Sequence, residues 1–176
     1  VFYLYSAEDP AAENQLPAYL RLVLHHGAQV SGWHARDEVR QVEQAARRVG
    51  GEIHRLKGLL RFRELGDGLL WAPLEPDADV IWSLAAHFRK RLRAERWLIH
   101  DVRRQYGVRH LDGRLDTVDA AALRGLLEPG MSAAEQAYSG MWRAYFRQVA
   151  IGPRRNPRLQ RQNMPARYWR WLVEME

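Results

Sequence analysis

The chain has 176 residues, 27 of them Lys or Arg against 21 Asp or Glu, for a formal net charge of +6 and a pI near 10.0. Its 47% hydrophobic and 27% charged residues are a globular composition, and no stretch approaches the roughly 18 consecutive apolar residues of a membrane span. The absence of Cys excludes disulfides, thiolate zinc sites and a cysteine nucleophile, and fits a cytoplasmic protein.

The length suits one domain over residues 1–176, large enough to bury roughly 70% of the surface its unfolded form exposes. The chain starts with Val1 and shows no charged-then-apolar leader pattern, so it is expected to be the C-terminal part of a longer protein. Ala7-Glu8-Asp9-Pro10 reads as a turn or helix entry. Leu16, Tyr19, Leu20, Val23 and Leu24 predict an amphipathic helix over Gln15 to His26, closed by Gly27, with Pro17 in its first turn. The adjacent His25 and His26 point apart on such a helix and cannot chelate one metal together.

Val39, Val42, Ala46, Val49, Ile53 and Leu56 mark the seam of a helix over Arg36 to Lys57, weakened by Gly50-Gly51. Gly58 to Leu65 and Leu69 to Leu74, on either side of Gly66-Asp67-Gly68, predict a hairpin with Arg61 and Arg63 on one strand face and Leu60 and Phe62 on the other. A further helix is expected from Asp79 through Leu92, with Arg89, Lys90, Arg91 and Arg93 on its exposed side. Trp97 to Asp101 and Tyr106 to Leu111 alternate as strands, the second ending in the tight turn Asp112-Gly113.

Ser132-Ala-Ala-Glu135 is a capping-box pattern that opens a long helix. Its stripe of Tyr138, Trp142, Tyr145, Phe146 and Val149 is expected in the core, and Arg143 and Arg147 share another face. Gly152-Pro153 ends that helix, Asn156-Pro157 starts a short one through Gln162, and Pro165 starts a last one through Leu172. The expected fold is α+β: a small antiparallel sheet from two hairpins, packed by several helices including a basic C-terminal helical region.

Between Gln136 and Val173 there is no Asp or Glu, while Arg143, Arg147, Arg154, Arg155, Arg158, Arg161, Arg167 and Arg170 interleave with aromatic residues. Guanidinium forks match phosphate oxygens and aromatic faces stack unpaired bases, so this segment points to nucleic acid, with Trp169 or Tyr168 as a stacking residue. Arg61, Arg63 and Arg103 would add a second cationic group from the sheet. His54, Lys57 and Arg61 are candidates to surround one phosphate, although cations at a helix C-terminus also serve its dipole.

For catalysis, His100 and Asp101 followed by Arg103 form the most suggestive polar cluster, with His54 as a further candidate. Neighbours on a strand face opposite ways, so one of the pair is expected to serve a turn or an arginine. Glu64, Glu75 and Asp77 are carboxylates of the type that hold Mg²⁺, but Asp77 or Asp79 more simply caps the next helix, so neither metal nor cofactor is expected. No phosphate-binding glycine loop, Rossmann fingerprint or serine elbow occurs.

Several separated motifs carry a resemblance: Lys57-Gly-Leu-Leu-Arg-Phe62, Trp71-Ala-Pro-Leu-Glu-Pro-Asp77, His87-Phe88, Trp97-Leu-Ile-His-Asp-Val-Arg103, Trp142-Arg-Ala-Tyr-Phe146, Arg155-Asn-Pro-Arg-Leu-Gln160 and Met164-Pro-Ala-Arg-Tyr-Trp169. From about Tyr3 onward the chain resembles a bacterial DNA-metabolism family, domain of unknown function 4130. That resemblance implies a DNA-repair setting, with uracil-DNA glycosylase superfamily domains and a radical-SAM protein as partners, and supplies no catalytic residue. The expected function is therefore a DNA-binding accessory domain in repair or modification. The alternatives are a nuclease or base-processing enzyme acting directly on nucleic acid, and a docking module for an acidic protein.

Overall fold

A computed structural model describes residues 2–151 and 156–175. It divides into two compact units: one holds the chain through His54 together with Asp77–Val80, the other Arg55–Pro76 and the chain from Ile81 onward. Among the described residues no helix is long and apolar enough to cross a membrane.

In the first unit, α1 (Phe2–Ser6) and α2 (Pro10–His26) pack on α3 (Asp37–Leu59). Leu4, Ala12, Val42 and Ala45 make the core, with Ala7, Leu16 and Tyr19 against it. Asp9 starts α2 earlier than apolar spacing indicates: its carboxylate accepts from the N–H groups of Ala11 at 3.1 Å and Ala12 at 3.3 Å, and Pro10 takes the first helical position. Pro17 thus lies inside the helix rather than in its first turn. Gly27 closes α2 at φ 68°, as expected, and His26 packs on Trp33 with ring centroids 4.9 Å apart. The buried carboxylate of Glu52 accepts from the N–H groups of Asp77 at 2.9 Å and Ala78 at 3.0 Å, which fastens that short segment to α3.

The second unit is built on one five-stranded sheet in the order β1 (Arg63–Glu64), β2 (Leu70–Leu74), β3 (Trp97–Asp101), β4 (Tyr106–Leu111), β5 (Arg114–Val118). The expectation of two antiparallel hairpins is corrected in three respects. First, β2 and β3 pair in parallel, Leu70 opposite Trp97 through Leu74 opposite Asp101, because α4 (Ile81–Arg91) carries the chain back as a crossover. Second, Asp112-Gly113, at φ 50° and 79°, turns the chain into a fifth strand, whose sequence Arg-Leu-Asp-Thr-Val is too polar and exposed to announce itself.

Third, the first strand is two residues long and Arg61 lies outside it, so Arg61 and Arg63 do not share a strand face. The cause is that α3 continues through Gly58 to Leu59, and the Arg61 side chain donates to the Gly58 carbonyl at 2.9 Å, closing the helix end. The outer edge of β1 is covered from the loop before α6 (Ala133–Val149): the Gly66 N–H donates to the Gly130 carbonyl and the Ser132 N–H to the Glu64 carbonyl, both at 2.9 Å. Ser132 caps α6 by accepting from the Glu135 N–H at 3.0 Å, but Glu135 does not return the bond as a capping box would. Its carboxylate instead accepts the Glu64 N–H at 3.1 Å and the Ser139 hydroxyl at 2.8 Å.

Every residue of β3 is buried because both sheet faces are covered. Trp97, Ile99 and Asp101 share the side packed by α4, where Phe62 meets Phe88 and Trp97 at 5.0 and 6.1 Å. Leu98 packs on the other side with Leu65, Leu69, Val118 and Leu123, the last from α5 (Ala120–Leu127). Gly107, opposite His100 in β4, makes this approach possible: a Cβ there would stand 2.8 Å from Leu98 Cδ1 and 3.0 Å from the Ile99 carbonyl oxygen. Gly107→Ala is therefore expected to destabilise the fold by about 1–3 kcal/mol through overpacking, seen as a lower midpoint in urea denaturation. Gly113→Asn, at a left-handed turn position open to solvent, should cost much less.

Candidate nucleic-acid interface

The expected cations fall into a set bonded to carboxylates or carbonyls of the domain and a set that faces solvent. Arg61 pairs with Glu174, whose side chain is 5% exposed and also accepts from Trp142 Nε1 at 3.4 Å. Arg63 donates to the Trp171 carbonyl at 3.3 Å. Arg170 lies over the Trp171 ring at 4.5 Å and pairs with Glu75 at 2.9 Å, which gives the candidate metal ligand Glu75 a cation instead. These contacts dock the 3₁₀ turns Ala166–Trp171 and Val173–Met175 against the region of β1 and β2.

The outward set lies on α6 and α7 (Pro157–Asn163). Arg147 is exposed and folds back so that its Nε donates to the Arg143 carbonyl at 3.3 Å, while Arg143 is half-buried. Asn156 caps α7 by accepting from the Leu159 N–H at 3.0 Å, and this short helix presents Arg158 and Arg161 to solvent. Arg167 is exposed, with its guanidinium 4.8 Å from the Tyr168 ring centroid and a hydrogen bond to the Tyr168 hydroxyl. Arg103 is exposed in the turn between β3 and β4. Arg154 and Arg155 lie outside the described residues.

The aromatic expectations divide in the same way. Tyr168 is buried and unavailable for stacking, whereas Trp169 is half-buried with its indole N–H donated to the Met164 carbonyl at 2.8 Å. Of the α6 stripe expected in the core, Trp142 is half-buried, whereas Tyr138 is 59% exposed, Tyr145 55%, and Phe146 and Val149 are also exposed, as is the neighbouring Met141 at 66%. The docked side of the helix is instead the row through Glu135, Ser139 and Trp142, fixed by the bonds to Glu64 and Glu174. At its N-terminal half, these residues with Arg61, Phe62 and Tyr138 line a cavity of about 190 Å³.

The catalytic candidates are placed by packing. Asp101 is fully buried, and its carboxylate accepts from both the backbone N–H of Arg104 at 2.9 Å and the Arg104 guanidinium at 2.8 Å, the arginine and turn role anticipated for one of the pair. His100 is 7% exposed, and its Nδ1 accepts from Trp71 Nε1 at 3.4 Å, which puts the ring proton on Nε2. Desolvation lowers the His100 pKa against the opposing pull of Asp101, so the ring is neutral near pH 7. His54 is exposed on α3.

Residues 10–174 match the family described as a domain of unknown function (DUF4130). The chain belongs to this family. No curated protein and no solved structure matches the chain.

Three residues of this DUF4130 domain take roles that their sequence neighbours do not disclose. His87, half-buried on α4, has its pKa lowered by desolvation and then by the nearby charges of Lys57, Arg91 and Lys90, which marks a second cationic cluster on the sheet unit. The signal was present in Arg89-Lys90-Arg91, but Lys57 joins only through the fold. Glu135 and Glu174 were hidden because their partners are distant in sequence, although Glu174 is the first acid after the long basic run.

Burial alone would raise the Glu174 pKa. The hydrogen bond from Arg61, its own backbone N–H, the Arg61 charge and the Trp142 indole outweigh this and hold it below its ordinary value of 4.5. Because the folded pKa is depressed, the ionised pair contributes stability above the unfolded pKa, and that contribution is lost as pH falls through the lower folded value. Glu174→Gln should therefore lower the melting temperature at pH 7, and the gap to the parent should close as both are titrated into acid below pH 4.5.

Proposed function

We infer that the chain is a DNA-binding accessory domain of repair or modification, acting beside a uracil-DNA glycosylase-type or radical-SAM partner. The observation that carries this reading is the acid-free arginine segment, whose helices leave Arg147, Arg158 and Arg161 in solvent while Arg61 and Arg170 take the neighbouring carboxylates. Cations of this kind neutralise phosphates without reading sequence, which suits an accessory that positions a strand for another active site. The cluster around His87 supports the same reading with further positive charge on the sheet unit.

Direct enzymatic action is the weaker reading, since His100 and Asp101 are buried and Asp101 is engaged by Arg104. Docking of an acidic protein is the second reading, favoured by the exposed Tyr138, Met141, Tyr145 and Val149 of α6 beside its arginines.

Binding to labelled single-stranded and duplex DNA across about 50–200 mM salt separates them. Neutralising about four phosphates gives a log–log slope of about −3 on single strands and between about −3 and −4 on duplex. The combined Arg147→Glu, Arg158→Glu and Arg161→Glu variant should weaken binding at least about tenfold and flatten the slope by about 2. A flat response in the parent protein rejects the DNA reading in favour of docking.

A further inference from the structure

The cavity at the base of α6 has the build of a recognition site. Phe62, Tyr138 and Trp142 give it aromatic walls, and Arg61, Glu135 and Ser139 supply its polar lining. Two hydrogen-bond systems hold these groups in place before any ligand arrives. Glu174 fixes the Arg61 guanidinium and the Trp142 indole, while Glu135 holds the Ser139 hydroxyl and the Glu64 N–H. Binding there would order few side chains, which removes one of the usual costs of association.

Size and chemistry narrow the occupant. At about 190 Å³ the cavity falls below the roughly 300–1,000 Å³ typical of drug-sized ligands, so it suits one planar ring. The Ser139 hydroxyl has its proton committed to Glu135 and keeps its oxygen lone pairs, as do the carboxylate oxygens. The lining therefore combines aromatic side chains with hydrogen-bond acceptors and the Arg61 guanidinium, a match for a heteroaromatic ring carrying N–H and carbonyl groups.

The surroundings point to a polyanion attached to that ring. Ser139, Arg143 and Arg147 follow each other at four-residue steps along one side of α6, about 6 Å per step. No acid follows in the sequence until Glu174, whose charge Arg61 answers. We propose that the cavity receives one unpaired nucleobase of a single strand, with the adjoining phosphates following Arg143 and Arg147. This deepens the DNA-binding reading and rests on it. It also selects the strand form, since a base inside a duplex cannot enter without leaving the stack.

The test compares a labelled oligothymidylate with an abasic oligomer of the same length, in the full chain and in Tyr138→Ala and Tyr138→Phe variants. Tyr138 is 59% exposed, so both variants should keep the fold, which their circular dichroism spectra and melting temperatures verify. The parent should bind the thymidylate about tenfold tighter than the abasic strand, the effect of about one base–aromatic stack. Tyr138→Ala should reduce that preference to about twofold or less, and Tyr138→Phe should retain it. Neither change should alter abasic binding or its salt slope. Equal affinity of the parent for the two strands, or a preference that survives Tyr138→Ala, overturns the base site while salt-dependent binding leaves the DNA reading standing. Loss of salt-dependent binding to both strands in the parent overturns both.

Discussion

A single carboxylate organises the basic end of the sheet unit. Glu174 is enclosed, and an enclosed charge is tolerated only with an opposite charge and donors around it. Arg61 and the Trp142 indole meet that demand, and they come from the exit of α3 and the middle of α6. Three segments distant in sequence are thereby tied at one point. Removing either charge leaves the other stranded, a larger penalty than the net contribution of the pair itself. The cavity beside Phe62 and Tyr138 inherits its rigidity from this junction.

The same constraint explains why one residue type does two jobs here. Arginine keeps its charge when partly buried and offers several donors in a planar fork, so Arg61, Arg63 and Arg170 can bond carboxylates and backbone carbonyls within the domain. With those neighbours engaged, Arg147, Arg158 and Arg161 present their charge to solvent. The acid-free run in the sequence is thus not one uniform surface. The nearest acids, Glu75 and Glu174, are taken by Arg170 and Arg61 and leave the remaining cations to solvent.

Periodic elements were legible in the sequence, and non-local ones were not. The seam of α3, the crossover helix α4 and the β3–β4 hairpin follow from apolar spacing, while Gly27 marks the end of α2 and Asp112-Gly113 the turn after β4 by backbone need. The parallel pairing of β2 with β3 depends on where a helix carries the chain, which alternation within a strand cannot report. The shortness of β1 depends on Arg61 closing α3, a side-chain choice invisible to pattern. On α6 the spacing of Tyr138, Trp142 and Tyr145 marks an apolar stripe, but the fold splits it, docking Trp142 and leaving both tyrosines in solvent. Spacing records that such a face exists and says nothing about whether another element covers it. The cavity is not legible because its lining comes from Arg61-Phe62, α6 and Val173, segments that only the fold brings together.

The connectivity of the two units limits how this protein can be dissected. The helical unit recruits Asp77–Val80 from between β2 and α4, and Glu52 grips the backbone of that insert by two N–H groups. A fragment ending at His54 would expose the Glu52 carboxylate with nothing to receive, and a fragment beginning at Arg55 would carry a linker whose anchor had been cut away. No single scission yields both halves intact, so limited digestion or domain-wise expression would produce frayed pieces in place of modules, and any transplant of the sheet unit must bring α3 with it.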